Sequence, residues 1–192
     1  MPNLPQEGAR TRIFRNQVIS NNTANFALPG GAVAGLPAGS GISVNSNDDV
    51  EIFDNDLRDN DTAHIIISSV YSTNYSGRNA ASGFDPYPER IFIHDNRYSG
   101  GGTSPDTDAL AELKLALFGA EGHFPNIIWD GFLNPATAVD GHLPAAQNFC
   151  VANEPETQLL NVDGPAAYAN PSLEQARYQC THEPLSAVVL EL

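Results

Sequence analysis

Short runs in which apolar and polar residues alternate recur along the first half of the chain, each with an asparagine at a fixed place. Ile13-Phe14-Arg15-Asn16-Gln17-Val18, Ile52-Phe53-Asp54-Asn55-Asp56-Leu57 and Ile93-His94-Asp95-Asn96-Arg97-Tyr98 all read apolar, x, x, Asn, x, apolar. Thr11, Val50 and Ile91 stand two places before the first apolar position and extend the alternation in the second and third runs. A period of two is the strand signature, so each run predicts two short strands meeting at a corner near the asparagine. Cys150-Val151-Ala152-Asn153, with Phe149 ahead of it, reads as a degenerate fourth copy, and the four asparagines fall 39, 41 and 57 residues apart.

A repeat of this length predicts strands that return above one another. Second strands are predicted at Ile42-Ser43-Val44 and Ile65-Ile66-Ile67-Ser68-Ser69-Val70, and the Gly/Ala/Pro-rich stretch 25–41 and the stretch 71–89 read as loops. Strand, corner, strand, loop and the same strand again is the order of an all-β solenoid, a right-handed parallel β-helix with long loop insertions. Asparagine suits a corner because it tolerates the left-handed region, and stacked amides can donate to and accept from one another. Asn16, Asn55, Asn96 and Asn153 are therefore expected to form a ladder, with Asn21 and Asn60 repeating it at the next corner, where the third copy has Gly101.

One α-helix is expected at 104–119, with Ser104 as cap, Pro105 in its first turn, Leu110, Leu113 and Leu117 as its apolar stripe and Gly119 as its stop. A weaker helical patch spans 172–178, and the apolar tail 185–192 reads as a last strand or cap. The domain reading is a linker or disordered segment at 1–9 and one domain over 10–192.

Composition narrows the function classes. The chain has 192 residues, enough for one sizeable core. Its net charge of −14, with Lys114 the one lysine, repels phosphate backbones and anionic lipid, so no nucleic-acid partner is expected. A cationic partner or a divalent metal fits better, and an acidic surface that keeps the protein soluble is the simplest reading. No apolar run is long enough to span a membrane. The two cysteines, Cys150 and Cys180, are compatible with one disulfide or with buried free thiols.

The repeats, together with Trp129-Asp130-Gly131, Asn148-Phe149-Cys150-Val151-Ala152-Asn153 and Cys180-Thr181-His182-Glu183-Pro184-Leu185, resemble bacterial exported parallel β-helix repeat-containing proteins of one uncharacterised family. The similarity covers roughly residues 10–192 and matches that family's C-terminal portion. The resemblance implies a periplasmic or extracellular location, lipoprotein-anchored in the full-length protein, and a diheme c-type cytochrome encoded beside it as a candidate partner. It also implies the Cys150–Cys180 disulfide, since export favours oxidation.

No zinc-protease helix, phosphate loop, nucleophile elbow or haem-attachment motif is present in the sequence, so no catalytic set and no cofactor are expected. The favoured expectation is a non-catalytic scaffold or binding module. The alternative is a polyuronate lyase or epimerase acting on carbohydrate, with His94, Arg97 and Tyr98 beside Asp95 on one copy and Arg58 with Asp54 and Asp56 on the copy below. Such chemistry needs a base and a cation at the uronate carboxylate. Asp54, Asp56 and Asp95 are weak Ca²⁺ candidates, because hard oxygen ligands at stacked turns suit that ion, although the spacing matches no EF-hand loop. Phe14, Phe53 and His94 should point outward, with Phe14 and Phe53 stacked as a strip that a loop or the helix covers, the alternative being a docking or sugar-stacking surface.

Overall fold

The computed structural model describes residues 8–31, 33–73 and 82–187. Among them the chain forms eleven strands and one α-helix. The strands are β1 (Gly8–Phe14), β2 (Gln17–Ile19), β3 (Ser40–Asn45), β4 (Asn47–Phe53), β5 (Asp56–Arg58), β6 (Ala63–Ser68), β7 (Ile91–His94), β8 (Arg97–Ser99), β9 (Ile127–Trp129), β10 (Cys150–Ala152) and β11 (Leu159–Asn161). They build three parallel sheets, in the orders β1-β4-β7-β10, β11-β9-β6-β3 and β2-β5-β8. The protein is thus mostly β, with strands from distant segments lying side by side.

Register follows the apolar alternation. Ile13 pairs with Ile52, Ile52 with Ile93, and Ile93 with Val151, so one inward position is filled repeatedly by branched side chains. Ile65 and Ile67 sit likewise between Ile42 and Val44 on one side and Ile127 and Trp129 on the other. Ile52, Leu57, Ile65, Ile67, Ile91 and Ile93 are fully buried in this shared core. Each such side chain contributes about 1.5–3 kcal/mol by leaving water. A one-residue slip would turn the whole set outward, which is why the register is strict.

The corners correct the expectation about asparagine. The left-handed residue is the one before each ladder position: Arg15, Asp54, Asp95 and Asn153 have φ of 56°, 54°, 55° and 60°. Ser20, Asp59 and Gly100 do the same before Asn21, Asn60 and Gly101. Asn153 follows the pair Ala152 and His94, has the left-handed φ and donates from Nδ2 to Asp95 Oδ1 at 3.0 Å, so it takes the corner rather than a ladder rung. Glu154 occupies the rung instead.

The α-helix α1 (Asp108–Phe118) is capped by Thr107, whose hydroxyl accepts from the Leu110 amide at 3.3 Å, and not by Ser104. Leu110 and Leu113 pack with Ile66, Phe124, Ile128 and Leu160 on the outer face of the β6–β9–β11 sheet, whereas Leu117 stays 40% exposed. This second cluster explains why all six residues of β6 are buried. The 172–178 stretch is a turn, not a helix, with Ser172 bridged to Asn161 and the Tyr178 amide donating to the Gln175 carbonyl. Strand β1 begins at Gly8, so Gly8 and Ala9 belong to the sheet rather than to a linker. Residues 185–187 form no strand, and 1–7, 74–81 and 188–192, where most of the expected linker, part of the 71–89 loop and the rest of the last strand fall, lie outside the described residues. No helix among the described residues is long and apolar enough to cross a membrane.

Candidate functional site

Three asparagines and one glutamate form a continuous polar spine beside the first corner. The Asn16 amide and Nδ2 donate to Asn55 Oδ1 at 3.0 and 2.9 Å, and Asn55 repeats the pair on Asn96 Oδ1 at the same distances. Asn96 donates both groups to Glu154 Oε1, at 2.7 and 2.9 Å, and the Tyr98 hydroxyl donates to Glu154 Oε2 at 2.9 Å. Burial pushes the Glu154 carboxyl up and the Tyr98 phenol well up, the neighbouring carboxylate adding to the second shift. At the next corner the Asn21 amide donates to Asn60 Oδ1 at 3.2 Å. Asn60 Nδ2 lies 3.1 Å from His64 Nδ1, whose Nε2 faces the Gly100 carbonyl at 3.0 Å. Burial lowers the His64 pKa. The buried members of the two ladders, Asn55, Asn96, Glu154, Asn60 and His64, are satisfied by one another and by the backbone, so they hold the fold.

The lyase-like set does not assemble. The left-handed turn at Asp95 sends β8 into a different sheet from β7, and alternation then points Tyr98 into the core while Arg97 lies exposed. His94 keeps only Asp95 as a neighbour from that set, at 2.7 Å from Nδ1. That contact holds the Asp95 carboxyl below its ordinary range. His94 Nε2 meets Glu51 at 3.2 Å, so both ring nitrogens face carboxylates. Phe14, Phe53 and His94 stack with centroids 5.0 and 5.2 Å apart, and the Arg12 guanidinium lies over both phenyl rings. Among the described residues the groups over these phenyl rings are the Arg12 guanidinium and, over Phe14, that of Arg15, rather than the helix.

Glu51, 2% exposed, sits at the centre of this outer face and accepts from Arg12 Nε at 2.9 Å and from the Leu185 amide at 3.1 Å. The C-terminal segment reaches it by crossing the sheet. Cys180 is bonded to Cys150 on β10, His182 Nε2 meets the Asn148 carbonyl at 2.8 Å, and its ring lies edge-on to Phe92. Asp54 lies 3.8 Å from Arg15, and Asp56 is paired with Arg58 at 3.1 Å. Among the described residues no group of three or more His, Cys, Asp or Glu side chains is placed to hold a metal.

The arrangement best suited to a ligand is one that the sequence pattern did not indicate. A cleft of about 470 Å³ lies on the outer face of the β11-β9-β6-β3 sheet. Ile66, Ile128 and Val162 give it an apolar floor, Asn45, Ser68 and Ser72 a polar side, and the start of α1 and the 33–37 loop its walls. Tyr168, 39% exposed, stands at its margin. Asp130 is its one carboxylate among the described residues, accepting from the Ser69 amide and the Ser72 hydroxyl, each at 2.6 Å, and from the Phe132 amide at 3.1 Å. Burial pushes its pKa up against those donors. No protein-family model, curated protein or solved structure matches the chain.

Proposed function

We propose that this chain is a non-catalytic binding module on a right-handed parallel β-helix, and that the cleft over β6 and β9 receives a neutral carbohydrate. The cleft carries the reading. A sugar ring presents a C–H face and a rim of hydroxyls, which fits an aliphatic floor edged by neutral amide and hydroxyl groups and an aromatic ring. Glycosidase chemistry needs two carboxyl groups across the bond, and this cleft has one, fully engaged by donors. The solenoid reading rests on the three parallel sheets and on crossover connections, which are right-handed in about 98% of cases.

The same reading takes the module to be an exported bacterial protein, in the periplasm or at the cell surface, working beside a diheme c-type cytochrome. The family resemblance of the repeats supports this, and so does the disulfide, which persists in oxidising compartments. Titration calorimetry against a panel of neutral oligosaccharides tests the ligand. Saturable binding that Tyr168→Ala weakens is expected, and heat-silent titrations across the panel at millimolar sugar would refute it. Affinity capture from the native host at low salt tests the partner, and recovery without a cytochrome would remove it.

A further inference from the structure

We propose that a small cavity between the inner side of β9 and the segments 141–148 and 172–178 binds a small, uncharged molecule with a primary amide head and an aliphatic body. Among the described residues three side-chain atoms are buried without a hydrogen-bond partner, and two of them, Trp129 Nε1 and Asn148 Oδ1, belong to residues that line this one cavity. One is a donor and the other an acceptor. Buried polar atoms are nearly always paired, so two orphans of opposite character in the wall of one space point to a ligand that pairs both.

The cavity measures about 140 Å³, roughly the space that takes a benzene-sized molecule. It shares no residue with the cleft over β6 and β9, because alternation along β9 turns Ile128 to the outer face and Trp129 to the inner one. Trp129, Asn148 and Tyr178 are 4, 7 and 7% exposed and form its depth, while His142, Ser172 and Glu174 are exposed at its mouth. Both orphans are held in place. The indole ring stands edge-on to Phe149, with centroids 5.1 Å apart. Asn148 Nδ2 donates to the Arg177 carbonyl at 2.8 Å, which settles which end of that amide is the oxygen.

The two atoms ask for opposite partners, a carbonyl oxygen for Trp129 and an N–H for Asn148, and a primary amide carries both on one planar group. A carboxylate brings no N–H and approaches a protein of net charge −14, and an ammonium brings no acceptor. The wall itself asks for no charge. Arg177 lies 3.7 Å from Glu174, so the two offset each other, and burial pushes the Tyr178 phenol up to about 12, which keeps it neutral. Leu133 and Leu143, both packed against the core, give a short aliphatic body its contact.

Trp129 is the one tryptophan of the chain, so a single indole N–H cross-peak of the full ¹⁵N-labelled protein reports on the site. The probe is isobutyramide. The expected result is a saturable shift of the indole at millimolar concentration, with the Asn148 side-chain amide moving alongside. Methyl isopropyl ketone, which has the same shape without the N–H donors, and isobutyrate, the charged analogue, should bind about tenfold more weakly. Leu143→Phe, which fills the space and removes neither polar atom, should abolish the shift. The comparison of probes uses the unchanged chain, so it decides the matter even where Leu143→Phe fails to fold. Absence of a saturable shift up to roughly 0.1 M amide, meaning that solvent alone fills the cavity, would overturn the proposal. Equal binding of the ketone, or undiminished binding by folded Leu143→Phe, would overturn it too.

Discussion

Asn55→Ala tests whether the polar spine holds the tiers together. Asn55 is 0% exposed. Its Oδ1 accepts from the Asn16 amide and Nδ2, and its own Nδ2 reaches Ile13 O at 2.9 Å, Phe53 O at 3.0 Å and Asn96 Oδ1 at 2.9 Å. Truncation removes about four net hydrogen bonds, because two hydrogens serve three acceptors. At about 1 kcal/mol each the loss would reach about 4 kcal/mol. Asn16 lies at the exposed end and can turn to water, and Asn96 Oδ1 keeps the Asn55 backbone amide, so we expect about 3 kcal/mol. Asn16→Ala, which removes the same side chain from an exposed position, should cost less than about 1 kcal/mol. Urea unfolding at pH 7 measures both. Equal, small losses at the two positions would refute the reasoning, since a shared residue type without a burial gradient has no spine to break.

Cys150→Ala/Cys180→Ala should destabilise by about 3.6 kcal/mol, the chain-entropy value for a loop of this separation, read from the same unfolding curves under non-reducing conditions. Because burial lowers the His64 pKa, the contribution of that residue is complete above 6.5 and is lost as pH falls through the lowered value. The melting temperature should therefore drop on acidification below 6.5, with a shallower drop in His64→Gln. Glu154 has the opposite sign. Its raised pKa gives stability that is full below 4.5 and lost as pH rises through the raised value, so Glu154→Gln should flatten the curve on that side. Thr107→Ala should cost about 1 kcal/mol through loss of the α1 cap, whereas Ser104→Ala should change little.

The spacing of Asn16, Asn55 and Asn96 was legible because inward isoleucines and amides recur together, and alternation set which residues face in. The fourth copy is offset by one place from what its asparagine suggests. Residue identity points to Asn153, yet a rung needs an acceptor for two N–H groups, and Glu154 supplies that as well as an amide does. The parity of Val151, which pairs with Ile93, held the correct answer. His94, Arg97 and Tyr98 looked like a set because they are adjacent in sequence, but a left-handed residue between two strands separates neighbours into different sheets. The cleft left no trace in the pattern. Its parts come from the 33–37 loop, the start of α1, the outer face of β6 and Tyr168, which only tertiary packing brings together. The contact of the Leu185 amide with Glu51, 134 residues apart, is of the same kind.

Parallel neighbours from segments some forty residues apart are the physical basis of all of this, and a nuclear Overhauser experiment on the labelled protein reads them directly. Parallel pairing of β4 with β7 gives amide-to-Hα cross-peaks running in one direction along Val50–Phe53 and Ile91–His94, with Asn55 and Asn96 side-chain amides in contact. Close Hα–Hα cross-peaks between those strands, the mark of antiparallel pairing, would contradict it.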